Sequence, residues 1–137
     1  MKNKTAGFTL IEIMLVITMI GILAAVVIPR LTGRSEEARI SAAQLQIENL
    51  GLALDAFELD NGRFPAMEEG LDALFEKPAA IEKWKGPYLK KRISRDPWGT
   101  PYLYRRPGIH NQDYDLASFG PNKAEGGNDD IANWEEK

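Results

Sequence analysis

A single carboxylate, Glu12, stands near the start of an otherwise uncharged stretch that runs over residues 8–29. The stretch is about 22 residues long, enough for a helix to cross a bilayer. A charge at mid-depth in a membrane costs roughly 2.5–3.5 kcal/mol or more. An anchor needs only apolar surface, so Glu12 asks for another explanation, and the simplest is a positive partner. The residues ahead of it suggest one. Residues 1–7 are short, polar and basic, with Lys2 and Lys4, and they end in Gly7. Cleavage after Gly7 would leave Phe8 with a new α-amino group, one helical turn from Glu12 or opposite the Glu12 of a neighbouring copy. Such a pair offsets the burial penalty only when both charges are present and close. The plainer alternative is a signal-anchor helix whose glutamate reaches to the interface.

The rest of the chain bounds the function. Of 137 residues, about 108 remain beyond the apolar run, the size of one domain. Net charge is −3, so there is no polybasic signature for nucleic acid. The chain contains no cysteine and one histidine, His110, which leaves no thiol nucleophile and argues against a histidine-built metal or catalytic site. The apolar run is too long for the core of a cleaved secretory signal and ends in Ile28-Pro29-Arg30 rather than at small residues. Flanking charge leaves its orientation open, with Lys2 and Lys4 on one side and Arg30, Arg34 and Arg39 on the other.

Within the run, Gly21 and Pro29 are weak points for a helix. Beyond Pro29 the pattern predicts that the helix continues. Ala38, Ala42, Leu45, Leu52, Ala56 and Leu59 form one apolar stripe; Ala43, Ile47, Leu50, Leu54 and Phe57 form another beside it. Together they predict a broad face laid on a sheet. Asp60-Asn61-Gly62 ends the helix, giving a rod of roughly 80 Å from Phe8. Residues 68–75 predict a short helix with Leu71, Leu74 and Phe75 facing the core. Residues 77–91 predict a loop whose cations form a solvated face. Asp96-Pro97-Trp98-Gly99 is a turn. Residues 102–104 and 113–119 are strand candidates, and Trp98 and the tyrosines are core packing. The expected class is α+β: a long N-terminal helix, transmembrane in its first half, packed by its second half on a small antiparallel β-sheet.

Residues 118–130 are too rich in glycine for regular structure and concentrate oxygen donors: Ser118, Asn122, Glu125, Asn128, Asp129 and Asp130. Ca²⁺ takes 6–8 such oxygens from carboxylates, amides and backbone carbonyls in a flexible loop. The spacing is not that of an EF-hand. Composition alone leaves a calcium loop and a plain acidic turn equally open.

Two sets of residues resemble a known family. Lys4-Thr5-Ala6-Gly7-Phe8-Thr9-Leu10-Ile11-Glu12 resembles the class III signal of type IV pilins and type II secretion pseudopilins. The resemblance implies that residues 1–7 are a leader removed by a prepilin peptidase, which cuts between Gly7 and Phe8 and methylates the new amine. It implies a membrane-spanning, filament-core helix over 8–29 and a periplasmic head over 30–137. The cytoplasmic N-terminus follows from this motif, and so does an inner-membrane location. Helical order between Gly21 and Pro29 would be lost when subunits pack. Asp96-Pro97-Trp98-Gly99 followed by Tyr102, then Asp115-Leu116-Ala117-Ser118-Phe119-Gly120-Pro121-Asn122 and Asp129-Asp130-Ile131-Ala132-Asn133-Trp134, looks like the major pseudopilins of type II secretion systems. That resemblance implies a pilin-like fold with a C-terminal calcium-type loop. The Ca²⁺ would be held by Asn122, Asp129 and Asp130, the carbonyls of Phe119 and Ala124, and Ser118. Asn122 stands for a usual Asp and Lys123 for a usual Gly, both of which weaken affinity.

The resemblance implies a structural subunit, not an enzyme. Many copies would stack their helices into a periplasmic filament that helps export folded proteins across the outer membrane. Glu12 would pair with the Phe8 amine of a neighbour. The implied partners are further copies, minor pseudopilins, the prepilin peptidase, the inner-membrane assembly platform and lipid. A type IV pilin shares the N-terminal motif but typically carries a C-terminal cysteine pair, absent here. A minor pseudopilin is the nearer alternative, usually with a larger or altered head. A membrane-anchored enzyme would need a nucleophile and base, and His110 has no such company in sequence.

Overall fold

The structure is a computed structural model that describes residues 7–135, with the backbone but not the side chains of 27–33. Among these described residues are one long helix, α1 (Leu10–Asn61), a 3₁₀ turn (Leu71–Leu74) and three short strands, β1 (Leu103–Arg105), β2 (Asp115–Ser118) and β3 (Ile131–Ala132). The chain divides into two compact units, Met1–Glu37 and Ala38–Lys137.

In the first unit α1 is helical through Gly21, where an added Cβ would meet nothing within 4 Å. Thr18 donates its hydroxyl to the Met14 carbonyl at 2.7 Å, so its polar group is satisfied within the helix. Among the described residues no helix is long and apolar enough to cross a membrane. Leader residues 1–6 and the side chain of Pro29 lie outside the described residues.

In the second unit α1 lends one face to the core. Ala43, Ile47, Leu50, Ala53, Leu54 and Phe57 are buried, at the 3- and 4-residue steps of one helical side. All but Ala43 cluster with Tyr104 and Leu116 from the sheet, and with Phe64, Leu74, Ile81 and Tyr102 from the connecting segments. Complete burial of a side chain such as Phe57 or Leu54 stabilises by about 1.5–3 kcal/mol each. The broad two-stripe face predicted from sequence is therefore halved. Leu45, Leu52 and Leu59 remain exposed, because a small sheet covers only one side of the helix. At its end, Gly62 adopts φ 71° and donates its N–H to the Glu58 carbonyl at 2.7 Å, a left-handed cap that only glycine takes without strain.

The sheet is antiparallel in the order β1-β2-β3. Leu103 pairs with Ala117, Tyr104 with Leu116 and Arg105 with Asp115; Ala117 also pairs with Ala132 and Ser118 with Ile131. β2 is thus central, and all four of its residues are buried. The two predicted strands form, the first shifted by one residue to Leu103–Arg105 and the second shortened to Asp115–Ser118. β3 was not foreseen, since two residues carry no periodicity. The predicted helix over 68–75 reduces to the 3₁₀ turn, which buries Ala73 and Leu74. Phe75 is instead half-exposed, with the Arg92 guanidinium 5.7 Å from its ring centre. Gly70 at φ 57° and Pro78 close off any longer helix. The 77–91 loop is anchored by Trp84 and Tyr88. The Trp84 indole donates to the Ala73 carbonyl at 3.1 Å, and the Tyr88 N–H donates to that of Leu74 at 2.8 Å.

Candidate functional site

The N-terminal motif places Gly7 and Phe8 in exposed, non-helical backbone directly ahead of α1. A Cβ at Gly7 would meet nothing within 4 Å, so the fold itself makes no demand for glycine there. Thr9 and Glu12 close a reciprocal cap. The Thr9 N–H and hydroxyl donate to Glu12 Oε2 at 3.0 and 3.1 Å, and the Glu12 N–H donates to Thr9 Oγ1 at 3.3 Å. This is a capping box, whose sequence signal is Thr-x-x-Glu over residues 9–12. In a single copy Glu12 is thus hydrogen-bonded without any cation, and the box holds its carboxylate at the first turn.

The C-terminal loop is built on a buried polar joint. Asp96 Oδ1 accepts the N–H groups of Trp98 (3.1 Å) and Thr100 (2.8 Å), and its Oδ2 accepts the Ser118 hydroxyl at 2.6 Å. Ser118 Oγ in turn accepts the Gly120 N–H at 3.2 Å. The turn after β2 is therefore clamped to the Asp96-Pro97-Trp98-Gly99 turn. Gly120 has φ 66°, and a Cβ on it would lie 2.2 Å from the Asp129 carbonyl oxygen. Only glycine lets the two ends of the loop close on each other.

Within the loop Asn122 is tied to Asp129, while Asp130 bonds the backbone at Gly126. Asn122 donates its side-chain amide to the Gly126 carbonyl at 3.0 Å and to Asp129 Oδ1, and its N–H to Asp129 Oδ2 at 3.1 Å. Its Oδ1 accepts the Ala124 N–H at 2.7 Å. Asp130 Oδ2 accepts the Gly126 N–H at 2.8 Å. Asp130 Oδ1 is buried and has no hydrogen-bond partner among the described residues, a costly state for a carboxylate oxygen. Ser118 stands apart, its hydroxyl committed to Asp96, and Phe119 is half-buried beside it. Lys123 is exposed in left-handed backbone at φ 60°. Among the described residues, no three His, Cys, Asp or Glu side chains are grouped so as to hold a metal ion. An ion here would draw on amide and carbonyl oxygens as well.

A second buried carboxylate, Asp115, was not singled out in sequence. Its oxygens accept the N–H groups of Ile109 (2.8 Å), His110 (3.1 Å) and Asn111 (3.0 Å), and His110 Nδ1 lies 3.0 Å away. Burial works to raise its pKa. The N–H groups of Asn111, Ile109 and His110 and the His110 ring outweigh that and bring it down to about 2. His110 also stacks flat on Trp134, ring centres 4.2 Å apart. The lone histidine is thus a packing element that ties the 108–111 loop to the C-terminal segment.

The profile of the type II secretion system protein G family matches residues 30–134. The chain belongs to that family. A second profile, the prokaryotic N-terminal methylation motif, matches residues 2–28. Among protein G relatives, the type II secretion system core protein G of Pseudomonas aeruginosa is 43% identical over 141 residues, spanning 98% of each chain. That of Escherichia coli K12 is 44% identical, over 96% of this chain and 92% of the relative. A solved structure, the major pseudopilin of enterohaemorrhagic E. coli, superposes with a TM-score of 0.65 at 34% identity, covering 76% of this chain and 89% of that one. Against the pilin and minor pseudopilin alternatives, all three of these relatives are named protein G or the major pseudopilin.

Proposed function

We propose that this protein G family member is the repeating subunit of a periplasmic pseudopilus, anchored before assembly in the inner membrane by residues 8–29. It is a structural subunit of a type II secretion system and not an enzyme. The observation that carries the reading is the coincidence in one chain of the methylation motif over 2–28 and the protein G domain over 30–134. Exposed, non-helical Gly7-Phe8 backbone suits a peptidase cut between them. The freed Phe8 amine then has two anions within reach in a membrane, its own Glu12 and that of an adjoining copy. Transfer of Glu12 from its cap to a neighbour's amine registers each incoming subunit. Gly21 and Pro29 are the positions at which the helix would give way during packing. The partners that follow are further copies, minor pseudopilins, the prepilin peptidase and the membrane assembly platform. Mass spectrometry of membrane-extracted protein tests this. The expected mass is that of a chain beginning at N-methylated Phe8; an uncut chain retaining Met1 rejects it.

Calcium is the second part of the proposal. The unpartnered Asp130 Oδ1 and the adjacent Asp129 carboxylate supply the anionic oxygens a hard cation needs. Asn122 contributes by turning its amide oxygen inward, and the Phe119 and Ala124 carbonyls complete the donors. Ser118 serves by holding the loop's base to Asp96. The ion supplies positive charge that joins carboxylates across a glycine-rich segment. Because it binds only the folded loop, millimolar Ca²⁺ is expected to raise the melting temperature by at least about 4 °C over chelated protein, the effect of about 1 kcal/mol in a domain of this size. Asp130→Asn is expected to abolish the difference. Identical melts with Ca²⁺ and with chelator would exclude a structural ion.

A further inference from the structure

The C-terminal loop is tied together by a side chain that also belongs to its proposed calcium set. Asn122 is exposed, yet its side-chain amide has no hydrogen left to give. One goes to the Gly126 carbonyl at 3.0 Å and the other to Asp129 Oδ1. The Asn122 backbone N–H goes to Asp129 Oδ2 at 3.1 Å, and Asn122 Oδ1 accepts the Ala124 N–H at 2.7 Å. Gly127 makes the room for this. A Cβ there would lie 2.7 Å from Asn122 Nδ2 and 3.0 Å from Asp129 Oδ1, and its φ of 104° suits glycine.

The neighbouring acids are engaged elsewhere. Glu125 turns to Arg105, 3.5 Å away at the surface. Asp130 Oδ2 takes the Gly126 N–H at 2.8 Å. Gly126 thus joins the two sides of the loop, Asp130 through its N–H and Asn122 through its carbonyl. An amide NH₂ and a hard cation seek the same atoms, anionic or carbonyl oxygens. An amide is also two-ended. Turned to give its hydrogens to Asp129, it cannot give its oxygen to an ion that Asp129 holds. An aspartate at 122 would have no hydrogen to give. It would face Asp129 as a like charge, and the two would be drawn together only by a cation between them.

We propose that Asn122 is an internal competitor of the cation. Its amide holds Asp129 and the Gly126 carbonyl, and it must turn over, releasing both, before Oδ1 can face an ion. The residue type at 122 therefore sets how far the loop depends on calcium: with Asn the loop is held in part by its own amide, and with Asp it is held by the ion. The inference rests on the calcium reading and adds what governs the affinity of that site.

The full chain in detergent micelles, with Ca²⁺ as the added probe, tests this. In chelator the Asn122 side-chain amide protons are expected to exchange with solvent more slowly than those of exposed Asn128, read by NMR. That protection is expected to vanish as Ca²⁺ saturates. Asn122→Asp is expected to melt at least about 4 °C below the parent in chelator. In calorimetric titration it is expected to bind Ca²⁺ at least about tenfold more tightly, because ligand charge sets the affinity of such loops. Amide protection that persists in saturating Ca²⁺ would overturn the competition, whatever the variant does. Equal Ca²⁺ affinity in variant and parent, or equal melts in chelator, would overturn it too. A variant that is unfolded in chelator and refolds with Ca²⁺ supports it; one that Ca²⁺ does not rescue counts against it. If the parent itself binds no Ca²⁺, the calcium reading fails and the competition with it; binding by the parent keeps the two failures distinct.

Discussion

Glu12→Ala is expected to give a protein that inserts in the membrane as before and assembles no filaments. In a single copy the carboxylate caps α1 through Thr9, at 3.0 and 3.1 Å. Loss of such a cap costs about 1 kcal/mol locally, which a long helix tolerates. Removing a charge from an apolar run eases insertion by roughly 2.5–3.5 kcal/mol where that charge is deep. Neither effect blocks membrane entry. What disappears is the anion that the freed Phe8 amine of an adjoining copy would find. Glu12→Gln separates the two roles, since it keeps an acceptor for the Thr9 N–H but not the charge. It too is expected to insert and not to assemble. Alkaline extraction of membranes measures insertion, and electron microscopy of overexpressed fibres measures assembly. Filaments of normal number and length from Glu12→Ala would remove the pairing from the account.

Asp115→Asn is expected to be the most damaging single change in the head. Asp115 is fully buried and receives three backbone N–H groups and the His110 ring. An amide offers one oxygen and turns an NH₂ group toward the remaining donors. Leaving buried donors unsatisfied costs about 1–3 kcal/mol each, so a loss on the order of 3 kcal/mol follows, a large part of a typical domain's 5–15 kcal/mol. Calorimetry should record a fall in melting temperature of more than about 10 °C. The parent's acid response carries the same signature. Asp115 titrates at about 2 in the folded chain against an ordinary 3.8. Its contribution is therefore complete above the unfolded value and is lost as pH falls from about 4 toward 2. In Asp115→Asn that part of the acid dependence should vanish. A variant melting within 2 °C of the parent would show that the 108–111 loop is held some other way.

The long helix was legible because its signals are local. The apolar run, the acid at Glu12 and the helix end at Gly62 each depend on neighbours within a turn or two. The second half of α1 was foreseen as helix, but its two apolar stripes look alike in sequence. Ala43, Ile47, Leu50, Leu54 and Phe57 became core only because the sheet lies on that side. The capping box is local too, carried by Thr9 and Glu12 three residues apart.

Other features depended on contacts distant in sequence. Asp115 reads in sequence as one acid among 20 Asp and Glu; the fold wraps three N–H groups around it. Ser118 reads as a loop oxygen, yet its hydroxyl turns to Asp96, 22 residues away. β3 is recruited by pairing with β2, beyond what two residues specify. The sequence by itself determined a long helix with an acid at its head and a donor-rich loop at its tail, because periodicity and composition act over short range. Which face is core, which carboxylates are buried and which leucines stay exposed were decided by tertiary packing, since burial belongs to the neighbours a residue meets.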